Sequence, residues 1–368
     1  MRVAGSRTWA ACAALMAVLV GWGLAGCGNS SSSVPPGPTP SAGSEFVFIP
    51  DAANNIMSVL VIGPDGSFNN GPVPLVATGS APVWAAVDPT NHFVYVTNFN
   101  RNTVSAFTLN TTSGAVASVS GSPFAAGTNP GAVVVDPSGK FAYVANDGSN
   151  SVSGYLIGAS GALTAVTGSP FAAGTTPQQG IAATVGFVYV NNLGSSDISA
   201  YSFDAGTGTL TPLAASPFAT GSGPESLAVD PAGKFLFTAN LNSNNVSAFA
   251  VNGDGSLSPA PDSPFGAGNS PQYLVTDRTG THLYVVNVND ATLNAYNIAA
   301  NGALTPLATY FTGIGPEGIA VDAANKFVMV ANCTAGSLSV YSINGDGTLS
   351  SLGAIFLGGC PQAVATSH

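Results

Sequence analysis

The chain has 368 residues, of which 7 are Lys or Arg and 17 Asp or Glu. Only 7% are charged, against roughly a quarter in an ordinary globular domain. A net charge of −10 excludes the clustered Lys and Arg that nucleic acid requires, and 45% hydrophobic content argues against disorder. The 45 glycines follow no G-X-Y period, so a collagen helix is excluded as well.

The first segment is an address. Arg2 and Arg7 precede an apolar run, Trp9 to Ala25, and the run ends in Leu24-Ala25-Gly26-Cys27. A small-residue site after such a run marks signal cleavage, and the Cys after Leu-Ala-Gly resembles a bacterial lipobox. That resemblance implies a signal peptide over 1–26 and a lipidated Cys27 that holds the mature protein on a membrane by its acyl chains. Gly28 rather than Asp follows the Cys, so an exported protein of the outer membrane or cell surface is expected rather than one of the inner membrane. Residues 27–45 are rich in Ser, Pro and Gly and read as a flexible tether. Cleavage leaves five basic residues against seventeen acids, a net charge of −12.

Residues 46–368 are repetitive. A Phe-x-Tyr-x-x-Asn pattern starts at Phe46, Phe93, Phe141, Phe187, Phe235, His282 and Phe327. A period in the mid-forties with only β patterns predicts an all-β, seven-bladed β-propeller of four-stranded blades. In each repeat the FVYVTN-like run is one strand. An alternating run such as Thr103–Phe107 is the next, and a run carrying SPFAAG follows. A strand that begins with Pro and ends in Asp completes the set, as in Pro130–Asp136. Asp-Pro-Ser-Gly-Lys turns lead back into the FVYV strand. The first repeat lacks its Pro-to-Asp strand, and Pro361–Thr366 at the other end supplies one. The C-terminal strand is therefore expected to complete the N-terminal blade and close the ring.

Tyr95-Val96-Thr97-Asn98 is the YVTN motif itself. With the Gly-Pro before the inner strand and the Asp-Pro-x-Gly-Lys after it, the domain resembles the YVTN-repeat propellers and the 6-phosphogluconolactonase-like seven-bladed family. The resemblance implies a lactone hydrolase with Pro-Arg-His at an inner-strand start and Asn-Glu after a YV strand. This chain departs from that pattern. No Arg or His occupies the two positions after any inner-strand Pro, and no Glu follows any repeat Asn. Lactone opening needs a base for water and a donor or cation for the oxyanion, so catalytic residues stay unassigned. No GxSxG, HExxH or calcium-loop motif occurs, and neither a metal nor a cofactor is implied.

The candidate site is the residue after each inner-strand Pro, at one mouth of the central channel. Gln178, Glu225, Gln272, Glu317 and Gln362 fill it in five successive blades, and Trp84 and Tyr273 stand at the next position. Acids, amides and aromatic faces together suit a sugar; a solvated funnel lining is the plainer reading. The repeated Asp residues read as turn staples with a weak ion pair to the Lys four residues on. The three histidines share no motif and read as structural or solvated. Cys333 and Cys360 adjoin one face of the last repeat, and export favours a disulfide between them over two free thiols. The leading reading is a monomeric, lipid-anchored envelope propeller that binds a glycan, small molecule or protein without catalysis. A lactone hydrolase is the alternative, and a purely structural envelope protein is the third.

Overall fold

A computed structural model describes residues 44–69 and 75–368. Residues 1–43, on which the expected signal peptide, the lipidated Cys27 and most of the expected tether fall, lie outside the described residues. Seven antiparallel sheets form the blades of a propeller. We number them in chain order, blade 1 beginning at Glu45–Asp51 and blades 2 to 7 at Pro82, Pro130, Ile181, Pro224, Pro271 and Pro316.

The repeat motif is an interblade clamp. The first ring of the FVYV strand lies under the glycine of the hairpin in the following blade. Phe93 of blade 2 lies under Gly161 of blade 3, which has φ of 82°, and a Cβ on Gly161 would fall 2.3 Å from that ring. Two residues on, Tyr95 donates its hydroxyl to the Gly161 carbonyl at 3.1 Å. Tyr143, Tyr189 and Tyr284 do the same to Gly208, Gly255 and Gly347. A second set reaches backward: the Tyr155 and Tyr296 hydroxyls donate to Ala125 and Gly266 of the preceding blades. His282 replaces the Phe of its repeat and packs under Gly347 in the same manner. Burial of these phenols between apolar faces costs little because each O–H has an acceptor.

The aspartates staple the turns. Asp136 accepts the backbone N–H of Lys140 and Phe141 on Oδ1 and that of Ser138 on Oδ2. Asp88, Asp230, Asp277 and Asp322 repeat the arrangement. The expected ion pair to the following Lys does not form. At the Asp277 turn the carboxylate instead meets His282, Nδ1 to Oδ2 at 3.1 Å. The carboxylate folds beneath its turn and is saturated by amides, while a surface pair to a long Lys would return less than about 1 kcal/mol.

Two other expectations need correction. The SPFAAG run is not one outer strand. Blade 2 carries Val116–Ser118 and Phe124–Ala125 as separate pieces, both paired to Thr103–Leu109, and blades 3 to 5 follow suit. The gap holds a cis Ser-Pro bond, Ser122-Pro123 in blade 2. Ser122 Oγ accepts the Ala106 N–H that the gap would orphan, and Ser169, Ser216 and Ser263 serve the same purpose. Blades 6 and 7 lack the motif and keep unbroken outer strands, Leu304–Phe311 and Leu349–Phe356. The closing strand is also shorter than Pro361–Thr366. It pairs as Ala365–Thr366 with Phe48 and Val47, and Pro361 bridges Asp51 separately. The residues between bulge away, as they do at the start of the other inner strands.

Closure is otherwise well tied. Ser367 exchanges hydrogen bonds with Phe46, and His368 exchanges them with Asn91 of blade 2. Cys333 and Cys360 are joined by a disulfide with Cα atoms 4.0 Å apart, fastening blade 7 to the start of the closing segment.

Candidate functional site

The inner strands are not regular at their beginnings. Pro224 pairs with Asn240 but Leu227 with Thr238, so blade 5 carries one extra residue there. Blades 2, 3, 6 and 7 shift at the same place. A bulge takes its residues out of the ladder and re-aims their side chains. That is why the position after the Pro can serve the channel mouth.

The residues gathered there are mostly buried. Glu225 and Gln272 are 3% exposed, Tyr273 2% and Gln362 1%; Gln178, Glu317 and Trp84 are half-buried. Gln272 Nε2 donates to Glu225 Oε1 at 3.1 Å, joining blades 5 and 6. The Tyr273 hydroxyl donates to Gln179 Oε1 of blade 4. Trp84 of blade 2 stacks on Tyr273, with ring centroids 6.3 Å apart and planes 24° apart. Trp84 also packs on apolar clusters from opposite sides of the ring. The channel is therefore plugged by side chains from blades 2, 4 and 6. Gln362 Nε2 lies 2.8 Å from Cys360 Sγ. Gln178 acts through its backbone: its carbonyl accepts the Ala132 N–H and would lie 1.8 Å from any Cβ at residue 131. Blade 3 accordingly has Gly131 where blade 2 has Val83 and blade 4 has Gln178.

Seven buried polar atoms at this end have no hydrogen-bond partner: Gln272 Oε1, Gln362 Oε1, Ser226 Oγ, Asn191 Oδ1 and the Oδ1 atoms of the strand-end Asn192, Asn240 and Asn332. Asn191 donates through Nδ2 to Ser226 O and Thr238 Oγ1. Sequence reasoning passed over Gln179 and Asn191. The available signal was two amide doublets in one repeat, Gln178-Gln179 and Asn191-Asn192, where no other repeat has two amide side chains in a row at either position. Arg101 lies at this end too, exposed in the 3-10 turn Phe99–Arg101. Burial raises the nearby Asp147 carboxyl above its ordinary range.

The opposite end of the channel is open. A cavity of about 970 Å³ is lined by the ends of the inner strands. Ala86, Val134, Ala183, Ala228, Val275 and Ile319 form much of its wall, and Asp230, Asp277, Arg278 and His368 reach its rim. Burial holds the His368 ring below the usual imidazole range, aided by the Arg278 charge and opposed by its hydrogen bond to Val87 and by Asp88. Beside the rim, burial pushes the Glu45 carboxyl up to about 7, with Asp322 adding and the Ala323 N–H and Arg278 opposing. Sequence reasoning gave Arg278 and His368 no site. Among the described residues no group of three His, Cys, Asp or Glu side chains is placed to hold a metal.

Comparison with known proteins agrees with the ring. The family model described as lactonase, 7-bladed beta-propeller matches residues 59–265 and 254–362. A structure from Bacteroides fragilis, named as a candidate 6-phosphogluconolactonase, superimposes with a TM-score of 0.80 at 20% identity, covering 90% of this chain and 100% of that one. The periplasmic gluconolactonase of Pseudomonas aeruginosa gives 0.74 at 20% identity, covering 88% and 99%. AztD from Citrobacter koseri, in its apo form, gives 0.61 at 11% identity, covering 88% and 97%. Likeness at such identities speaks for the fold alone. No functionally curated protein matches the chain. Its repeats, its closed ring of seven blades and the family match together make this chain a member of the lactonase family of seven-bladed β-propellers.

Proposed function

We propose that this member of the lactonase family is a lipid-anchored envelope protein that binds a hydroxyl-bearing ligand, a glycan or related small molecule, at the mouth where the inner strands begin, and does not hydrolyse lactones. One observation carries this reading. Gln272 and Gln362 are buried there with their amide oxygens unpartnered; Gln272 bonds the Glu225 carboxylate, and Trp84 stacks on Tyr273 at the same mouth. A buried acceptor without a donor costs about 1–3 kcal/mol, and hydroxyl groups of a ligand would recover it. Aromatic faces suit sugar rings. The residues after the inner-strand prolines include no Arg, Lys or His to stabilise an oxyanion.

Family membership favours lactone hydrolysis as the second reading. The chain from residue 28 onward should be tested on a panel of aldonolactones and on a glycan array. We expect no turnover above buffer and binding of a subset of glycans that Trp84→Ala and Glu225→Gln both weaken. Clear turnover lost in Glu225→Gln and Glu317→Gln would reverse the ranking.

A further inference from the structure

We infer that the cavity at the strand-end mouth is a second binding site, separate from the mouth described above, and that it takes a small amphipathic carboxylate. Its volume, about 970 Å³, lies in the range of small-molecule sites, which are mostly apolar with a few fixed polar groups. The wall side chains named above are all Ala, Val or Ile. Ala86 and Val275 stand two positions beyond Trp84 and Tyr273 on the same strands, so the stacked pair shuts off the channel past the inner end. The result is an apolar blind cup rather than a through-pore.

Arg278 is the cation at the rim of this cup. Its guanidinium is held from behind by neutral acceptors only. Nε donates to the Asp322 carbonyl at 3.2 Å, and Nη2 donates to the Val321 carbonyl at 3.0 Å and to Thr366 Oγ1 at 3.2 Å. Asn325 Oδ1 fixes its backbone N–H as well. No carboxylate lies within 4 Å of it among the described residues. A structural Arg is ordinarily matched to a carboxylate in a forked pair. Here the fork is pre-ordered across blades 6, 7 and 1, and Nη1 is left without an acceptor. The acids near the same rim are bonded elsewhere: the Glu45 carboxyl, which feels the Arg278 charge without pairing with it, accepts the Ala323 N–H at 2.8 Å. Asp230 Oδ1 is bonded by the backbone N–H groups of Lys234 and Phe235 at 2.6 Å each, and Asp277 holds its own turn and His282. An apolar body in the cup with one carboxylate on Arg278 satisfies both features at once.

The test uses the chain from residue 28 onward, which holds every described residue, with 4-phenylbutyrate as probe in isothermal titration. One site is expected, with 4-phenylbutan-1-ol and 4-phenylbutylamine binding at least tenfold more weakly. Arg278→Gln, which keeps donors for the carbonyls, should bring the carboxylate to the level of the alcohol. Ala228→Phe, which fills the cup and leaves Arg278 untouched, should abolish binding of both. Circular dichroism checks that each variant is folded. No binding of 4-phenylbutyrate at millimolar concentration, equal binding of the amine, or unchanged binding in folded Ala228→Phe would each overturn the assignment. Neither the lactone panel nor the glycan array reports on this cup, so the two sites stand or fall separately.

Discussion

Gln272 and Glu225 meet across the boundary of blades 5 and 6 through an amide-to-carboxylate hydrogen bond of 3.1 Å, with both side chains nearly excluded from water. Each follows an inner-strand proline and each is carried on a bulge. Replacing Gln272 with Leu leaves the carboxylate short of a buried donor. A hydrogen bond to a charged group contributes about 1.5–3 kcal/mol, and a loss of that order in urea unfolding is expected. The double change Glu225→Gln with Gln272→Leu should cost less than the sum of the singles, because each single already breaks the bond between the two side chains. Additive losses would show that the pair is not coupled.

Trp84 spans the channel and stacks on Tyr273. Trp84→Ala removes the largest part of the plug. Full burial would put the loss at roughly 3–5 kcal/mol; half-burial places it near or below the lower bound. Fluorescence quenching by acrylamide gives a second measure, since Trp84 is the only Trp in the chain from residue 28 onward. The native chain should be quenched far less than a denatured control. Quenching equal to the denatured control would mean that the channel is not plugged.

Ring closure rests on a short ladder and a covalent tie. The Cys333–Cys360 bridge closes a separation of 27 residues, for which chain-entropy arguments give about 3.5 kcal/mol. Ser at both positions should lower the unfolding free energy by about that much. Deleting 361–368 should do more, because blade 1 then loses its innermost strand and exposes Val47 and Phe48. A truncated chain with unchanged thermal unfolding would contradict closure by this segment.

Glu45 predicts a pH signature. Burial raises its carboxyl from 4.5 to about 7, so the folded state retains a proton that the unfolded state has released. Folding stability from this group is therefore intact below about pH 4.5 and declines as pH rises towards 7, then levels off. Glu45→Gln, whose amide oxygen can still accept the Ala323 N–H seen at 2.8 Å, should flatten that decline. Parallel urea midpoints for both proteins between pH 4.5 and 8 make the comparison. Identical slopes would remove Glu45 as the source.

The proposed anchor is tested in cells. Radiolabelled palmitate should enter the wild-type protein and not Cys27→Ala, and the variant should shift from the membrane fraction. Label retained by Cys27→Ala would exclude the lipobox reading.

The sequence by itself determined the ring. Seven copies of the Phe-x-Tyr strand and the missing inner strand at one end, present at the other, define blade number and closure before any coordinates. Such features repeat with the chain and need only local hydrogen bonds and packing against the next copy, as Tyr95 on Gly161 illustrates. The split outer strands were not legible as such, because the role of Ser122 depends on which N–H the gap leaves bare. The candidate sites were less legible still. The Gln178, Glu225, Gln272, Glu317 and Gln362 series could be read from register, but not that Glu225 and Gln272 are buried together or that Tyr273 reaches Gln179. Arg278 and His368 carry no motif and lie 90 positions apart. Only the ring brings the ends of inner strands from different blades to one rim, and only the tertiary structure decides which charges are saturated by their own turns and which are left facing a cavity.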